Sequence, residues 1–336
     1  MKNVIKKKII ENFKALVINK VKNKYSFGIE KIKLIGLKKN EVLIKIFYSS
    51  INYKDILMCA GNPGLANKYP HVPGIDCSGK VVSSNSKKFK IGNEVMIIAR
   101  PIGVKTFGSL AEYIVAPSKW IEKIPKKMNL KSVVIFGTAG FTSMLGLNEM
   151  TKNKPNKNYP ILISGATGGV GLLSIFAFSK FGFKVCALTG KLKNQKILRK
   201  VGANEIIDIK ELNNFPDMPL LKMRFGGIVD SIGGDVIYFG SRQLINNSAI
   251  ISIGNASAQT TQLNIMPFIL RGVKILGINA ETTPQNLRKK IWKQIAILSK
   301  DKRLSLVYKE CSLKESINKI KKIKARNHVG RFIVKI

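Results

Sequence analysis

The chain has 336 residues, 45% of them apolar, with a formal net charge of +39 from 58 Lys and Arg against 19 Asp and Glu. That length accommodates two domains with sizeable cores, and the apolar content excludes intrinsic disorder. No run of 18 or more apolar residues occurs, which argues against a membrane span.

Residues 1–12 are Lys-rich without a signal-length apolar stretch and read as a basic overhang. The charge suggests nucleic acid at first sight. Its distribution argues otherwise: lysines run through almost every segment among Asn and Ile, and Arg is scarce. A phosphate-gripping surface concentrates its cations and favours Arg. The expectation is a compositional bias with lysines on solvated faces, no specific nucleic acid and no membrane partner. A nucleic-acid-binding protein on a relic nucleotide fold stays as a distant alternative; it requires Lys and Arg clustered with aromatics on one face. Cys59, Cys77, Cys186 and Cys311 are far apart and form no C-x-x-C pair. Structural zinc and a disulfide framework are therefore disfavoured, and a reducing cytoplasm is expected.

In chain order, 13–19 and 42–49 read as strands, with a further short strand at 31–34. A short helix over 51–58 is broken by Asn62-Pro63-Gly64. The Pro/Gly-punctuated stretch 70–82 leads into a strand, 91–97 is a turn entering another, and 108–115 and 120–125 complete a compact, partly barrel-like β domain. From Leu130 the pattern changes. A long apolar helix over 131–150 precedes six short buried strands (161–164, 184–188, 205–209, 227–231, 249–253 and 273–278) that alternate with helices at 169–181, 193–200 and 235–245. This is an α/β pattern, a doubly wound parallel six-stranded sheet. A helix over 284–299 leaves the sheet, and 305–336, with one Lys-rich helix and a last strand at 332–335, is expected to rejoin the β domain. The expected domains are thus 13–136 with 300–336, and 137–299.

Glycines 165, 168 and 171 follow the apolar strand Ile161-Leu162-Ile163 and open a helix. They allow a tight turn, close approach of a pyrophosphate and close helix-on-strand packing. Alone, G-x-x-G-x-x-G fits a bland turn as well as a nucleotide site. The alternating elements tip it towards a dinucleotide, with backbone N–H groups of Thr167, Gly168, Gly169 and Val170 offered to the pyrophosphate. An NAD site carries an acid at the end of the second strand. Here that strand ends Ala187-Leu188-Thr189-Gly190-Lys191. A hydroxyl, an open backbone and a cation suit a 2′-phosphate, so NADPH is favoured over NADH; the competing reading makes Lys191 one more surface lysine. His71 and His328 lie in no metal or triad spacing and read as surface or loop histidines. No G-x-S-x-G, H-E-x-x-H or P-loop pattern occurs, which disfavours hydrolases and NTPases and leaves nicotinamide-dependent reduction.

From about Phe13 to the C-terminus the order of motifs resembles the zinc-free medium-chain dehydrogenases/reductases. It is nearest to the acryloyl-CoA reductase group of the quinone-oxidoreductase-like branch. The resemblance rests on Asn52-Tyr53-Lys54-Asp55, Pro73-Gly74-Ile75-Asp76, Gly108-Ser109-Leu110-Ala111-Glu112 and Gly137-Thr138-Ala139-Gly140-Phe141-Thr142. It rests further on the glycine turn, Asp230-Ser231-Ile232-Gly233-Gly234, Met266-Pro267-Phe268-Ile269-Leu270-Arg271 and Gly330-Arg331. It implies a GroES-like, partly open β-barrel beside a Rossmann NADPH domain. Where zinc-dependent relatives have Gly-His-Glu this chain has Gly74-Ile75-Asp76, so no zinc is expected.

Carried over by position, the resemblance puts Tyr53 beside the nicotinamide and the 2′-phosphate on Thr189, Gly190 and Lys191, with Lys191 replacing a common Arg. It also puts Asn255 and Ile269 near the nicotinamide ribose and ring. Glu205 stands where some relatives have Arg. Tyr53 is the candidate catalytic residue, either donating a proton or packing on the ring, and Asp55 is structural. Arg271 meets a phosphate or anchors a loop by a salt bridge. The implied reaction is NADPH-dependent reduction of acryloyl-CoA to propionyl-CoA, with hydride to the β-carbon and a proton to the α-carbon; NADPH:quinone oxidoreduction is the alternative. A homodimer through the edge strand 273–278 is expected.

Overall fold

The computed structural model describes residues 12–22, 24–34, 36–66 and 68–336, so the basic overhang, Asn12 apart, lies outside the described residues. Two compact units emerge. One runs to Gly137 and takes in Glu310–Asn327 and Phe332–Ile336; the other holds Thr138–Lys309 and His328–Arg331.

The first unit begins with a hairpin of β1 (Phe13–Val21) and β2 (Lys24–Ile32), antiparallel throughout. β2 is longer than its predicted fragment and lies earlier in the chain. Its Tyr25, Phe27 and Ile29 pack partly buried on the core, while Lys24, Glu30 and Lys31 face out. The main sheet pairs β3 (Glu41–Ile51), β4 (Asp76–Ser84), β5 (Glu94–Ile98) and β7 (Glu122–Lys123), with β6 (Tyr113–Pro117) on the other side of β3. Between β3 and β4, helix α1 (Tyr53–Cys59) starts at an Asn52/Asp55 capping box.

Gly74, at φ +114°, enters β4 where a Cβ would sit 2.5 Å from Leu110 N and 2.7 Å from Ser109 N. Only glycine fits both the angle and that approach. His71 is a loop residue, but the expectation of a surface position is corrected: it is buried, its backbone pairs with Ile18 and its Nε2 lies 2.8 Å from the Gly103 carbonyl. Burial lowers its pKa.

Helix α2 (Leu130–Lys152) crosses from one unit to the other and is interrupted at Gly137, with φ 49° and ψ −156°. By length and hydropathy α2 could cross a membrane, yet 78% of its apolar window is buried. That is how a core helix of this composition behaves.

The second unit is a parallel six-stranded sheet in the order β10 (Glu205–Asp208), β9 (Val185–Thr189), β8 (Ile161–Ile163), β11 (Gly227–Asp230), β12 (Ala249–Ser252) and β13 (Lys274–Gly277). β8 and β9 are buried at every residue, as strands covered on both faces must be. Helices α3 (Gly169–Lys180), α4 (Gln195–Val201), α5 (Asp235–Ser241) and α6 (Met266–Arg271) make the connections. Strand order reverses between β8 and β11, which opens a crevice beyond their carboxyl ends. Helix α7 (Gln285–Leu298) packs on the second half of α2: Trp292 stacks on Phe141 at 5.6 Å, and the buried Arg288 guanidinium lies 4.5 Å from that ring.

The unit continues past the predicted boundary at 299 because Asp301 pairs with Lys180 at 2.5 Å and Arg303 lies over Phe176. Strand β14 (Tyr308–Ser312), absent from the sequence reading, follows. Helix α8 (Leu313–Lys324) then adds Leu313 and Ile320 to the first unit's core, and β15 (Arg331–Lys335) pairs with β3.

Candidate functional site

In the second unit the glycine turn is assembled as the sequence predicts. Ser164 and Gly165 leave β8, Ala166 N donates to Leu188 O at 3.2 Å, and Gly168 N closes the turn onto Gly165 O at 2.8 Å. Helix α3 then starts at Gly169 with Gly168 as N-cap, with no side-chain cap and no acid in its first turn. The first-turn amides and the helix dipole are therefore available to an anion. At Gly171 a Cβ would lie 2.3 Å from Gly165 O and 2.7 Å from Ala166 Cα, so helix and turn touch backbone to backbone.

The turn is braced from across the crevice. Asp230, fully buried at the end of β11, accepts from Ser164 Oγ at 2.5 Å, from Gly233 N at 2.8 Å and from Ile232 N at 3.3 Å. Burial raises its pKa against the lowering effect of those bonds. Ser231 N in turn donates to Ser164 Oγ at 2.9 Å. Asn255 is exposed on the loop after β12, whose Ser257 N donates to Ile232 O at 2.7 Å, so this loop joins the same crevice.

At the end of β9, Thr189 Oγ1 accepts from Lys191 N at 3.1 Å, and Gly190 is exposed. Asp208 stands opposite Thr189 in register, but its carboxylate caps Lys210 N at 3.1 Å. Glu205, on the same strand, is paired with Arg224. The Lys191 ammonium donates to the His328 carbonyl at 2.8 Å.

Sequence reasoning missed the role of 328–331. Gly330 N donates to Thr167 O at 2.9 Å, and the buried Arg331 lies where a Gly169 Cβ would sit 2.8 Å from its Cγ. The segment thus touches both the glycine turn and Lys191. Its signal was the Gly330-Arg331 pair, to which no role had been given.

Other assignments change. The Arg271 guanidinium anchors its surroundings through backbone carbonyls, donating to those of Arg242 (2.8 Å), Leu244 (3.1 Å) and Leu221 (2.8 Å), and forms no salt bridge among the described residues. Ile269 is 67% exposed on α6, and its backbone bonds stay within its own helix. Contacts join 167–170, 189–191 and the Asn255 loop to one framework, but not Ile269. The donor set fits a dinucleotide: an acid-free helix start, a turn that a side chain would obstruct, a cation at the end of β9, and an Asn194 Nδ2 buried without a hydrogen-bond partner.

In the first unit Tyr53 opens α1 and is 45% exposed. Asp55 is fully buried and structural, accepting from Asn52 N at 2.7 Å and Gly74 N at 2.8 Å. Asp76 accepts from Ser50 Oγ at 2.8 Å and Asn52 Nδ2 at 2.9 Å. Ile75 is part of the core. These residues do not fit a zinc ion, since position 75 offers no ligand atom and Asp76 is committed to its neighbours; among the described residues no three His, Cys, Asp or Glu gather.

The alcohol dehydrogenase GroES-like domain model matches residues 38–126. YhfP of Bacillus subtilis, provisionally named a quinone oxidoreductase, is 34% identical over 96% of this chain and 99% of its own. Its crystal structure, with NAD bound, superposes with a TM-score of 0.91 at 33% identity, covering 97% of this chain and 99% of that one. The acrylyl-CoA reductase AcuI of Ruegeria pomeroyi is 31% identical over 84% of this chain and 87% of its own. The yhdH oxidoreductase from Salmonella enterica, in complex with NADP, gives a TM-score of 0.91 at 27% identity, over 96% of this chain and 99% of that one. By this identity across nearly its whole length, the chain belongs to the oxidoreductases of the medium-chain dehydrogenase/reductase superfamily, in the quinone-oxidoreductase-like branch that includes the acrylyl-CoA reductases.

Proposed function

We propose that the protein reduces the activated C=C bond of an enoyl thioester, acryloyl-CoA to propionyl-CoA, with NADPH and without zinc. The observation that carries the cofactor half is the acid-free start of α3 combined with an acid-free end of β9 that carries Lys191. The similarity to an acrylyl-CoA reductase supports the substrate half.

Bound NADPH supplies the hydride. The chain's own part is to hold and orient. Backbone amides of Thr167, Gly169 and Val170 take the pyrophosphate, that of Gly168 being spent on Gly165 O inside the turn, and Thr189, Gly190 and Lys191 take the adenosine 2′-phosphate. Asp230 keeps Ser164 and the glycine turn in register. The Asn255 loop borders the ribose side, with Ile269 assigned to the nicotinamide by family position. Hydride addition to the β-carbon leaves charge on the thioester oxygen and calls for a proton at the α-carbon. The exposed Tyr53 phenol is the candidate donor. We further infer a homodimer through the β13 edge, where Ile275 is 39% exposed and adjacent α6 exposes Leu270 at 57%, and a cytoplasmic location.

Quinone reduction with the same cofactor is the second reading, favoured by the Bacillus subtilis relative. NADPH oxidation measured side by side with acryloyl-CoA, crotonyl-CoA and a simple quinone separates the two. A kcat/KM highest for acryloyl-CoA supports the thioester reading, and one highest for the quinone overturns it. A Tyr53→Phe enzyme with unchanged kcat removes the proton-donor role.

A further inference from the structure

Between β12 and α6 the chain runs from 253 to 265 without helix or strand. A stretch of that length inside a packed unit must satisfy its backbone somewhere. It does so on the short loop after β11. Ser257 N donates to Ile232 O at 2.7 Å, Ala258 N to the same oxygen at 3.2 Å, and Thr261 Oγ1 to Gly234 O at 3.0 Å. Asn255, just before the first of these bonds, is exposed.

Gly233 makes that seat possible. Its φ is +74°, and a Cβ there would lie 2.4 Å from Ala258 O and 3.6 Å from Asn255 Cα. The approach is backbone to backbone, so a methyl group would drive the Ala258 carbonyl away by about 1 Å. Which side yields depends on what holds each. The 232–233 backbone is tied to the fully buried Asp230 carboxylate by Gly233 N at 2.8 Å and Ile232 N at 3.3 Å, and Asp230 also takes Ser164 Oγ at the glycine turn. The 255–261 segment belongs to no strand or helix and is the softer partner.

We infer that Gly233 is a positioning residue of the dinucleotide site. It seats the 253–265 loop so that Asn255 meets the nicotinamide ribose, and it takes no part in holding the adenosine half. The sheet order β9-β8-β11-β12 puts the end of β9, with Thr189 and Lys191, on one side of the glycine turn and the Asn255 loop on the other. Displacing that loop therefore acts on one half of the cofactor alone. The inference rests on the assignment of Asn255 to the ribose and deepens it.

The test compares the wild type with Gly233→Ala by titration with NADP⁺ and with adenosine 2′,5′-bisphosphate, which carries the adenosine half only. Gly233→Ala should bind NADP⁺ about three- to tenfold more weakly, as for a lost ribose hydrogen bond, and the bisphosphate within about twofold of wild type. Thr261→Val is an exposed change that removes the bond to Gly234 O; it should weaken NADP⁺ alone by about twofold. If Gly233→Ala does not fold, Thr261→Val decides by the same comparison, and wild-type NADP⁺ affinity in it overturns the inference. Equal weakening of both ligands marks a general structural role and overturns it too, as does unchanged NADP⁺ affinity in a folded Gly233→Ala protein. An Asn255→Ala protein that binds NADP⁺ like the wild type removes the ribose assignment and the inference with it. A wild type that binds neither ligand overturns the cofactor reading itself.

Discussion

Replacing Gly171 by alanine puts a methyl group 2.3 Å from Gly165 O, 2.7 Å from Ala166 Cα and 2.8 Å from Gly165 C. All three are backbone atoms of the turn, so no flexible side chain can swing away. Restoring an ordinary contact of 3.4 Å requires helix α3 to retreat by about 1 Å from the turn it continues. The packing cost is about 1–3 kcal/mol, offset by less than about 1 kcal/mol of helix propensity gained. Binding suffers separately, because the amides of 169–171 move with the helix while the turn stays on β8. A misplacement of about 1 Å costs on the order of 10²-fold in a positioned site, so NADPH affinity should fall by about 10- to 100-fold. Urea unfolding followed by tryptophan fluorescence gives the first quantity, and titration of the folded variant with NADPH gives the second. Gly28→Ala, where a Cβ meets nothing within 4 Å, is the control and should change neither. A Gly171→Ala protein with wild-type unfolding midpoint and wild-type NADPH affinity would refute the packing argument.

Gly74→Ala combines a left-handed φ of +114° with clashes against two backbone nitrogens, and should destabilise by on the order of 3 kcal/mol or more; a wild-type thermal midpoint contradicts this. Asp230→Asn turns a donor towards the Gly233 amide and should cost about 1–3 kcal/mol in urea unfolding, with weaker NADPH binding. For Asp301, burial alone would raise the pKa, but hydrogen bonds from Arg303 and Lys180 outweigh it and hold the carboxyl below its usual value. Its stabilisation is therefore fully present above about pH 4 and is lost as pH falls through the range below. The melting gap between wild type and Asp301→Asn should be constant above pH 5 and shrink steadily as pH falls below 4; a gap undiminished at pH 2.5 is inconsistent with the pairing. With a net charge of +39, kcat/KM for a CoA thioester should fall as salt rises, and a salt-independent value argues against steering.

What was legible in the sequence was local. Short, fully apolar strands and glycines at fixed spacing sufficed for the parallel sheet and for the turn between β8 and α3, because both are decided within a dozen residues. Where burial is partial the pattern blurs. β2 alternates half-buried aromatics with lysines, and β14 buries only Cys311, so one was misplaced and the other unseen. The break in α2 follows from the backbone of Gly137, inside an apolar run that propensity alone reads as continuous. Contacts set by tertiary structure could not be read at all. Lys191 meets His328 across 137 positions of chain, Arg271 finds three loop carbonyls rather than a charge, and His71 is enclosed by segments distant in sequence. The sequence marked each of these residues as polar and interesting; only folding decides which neighbours a polar group must satisfy.

The central claim is hydride transfer from NADPH to the β-carbon of an acrylyl thioester. It is tested most directly by incubating the enzyme with acryloyl-CoA and NADPH carrying deuterium at both positions of nicotinamide C4, and locating the label in the product. The account predicts propionyl-CoA with one deuterium at C3, and none at C2, which takes its hydrogen from solvent. Unlabelled product, label at C2, or no propionyl-CoA while a quinone is reduced under the same conditions would contradict it.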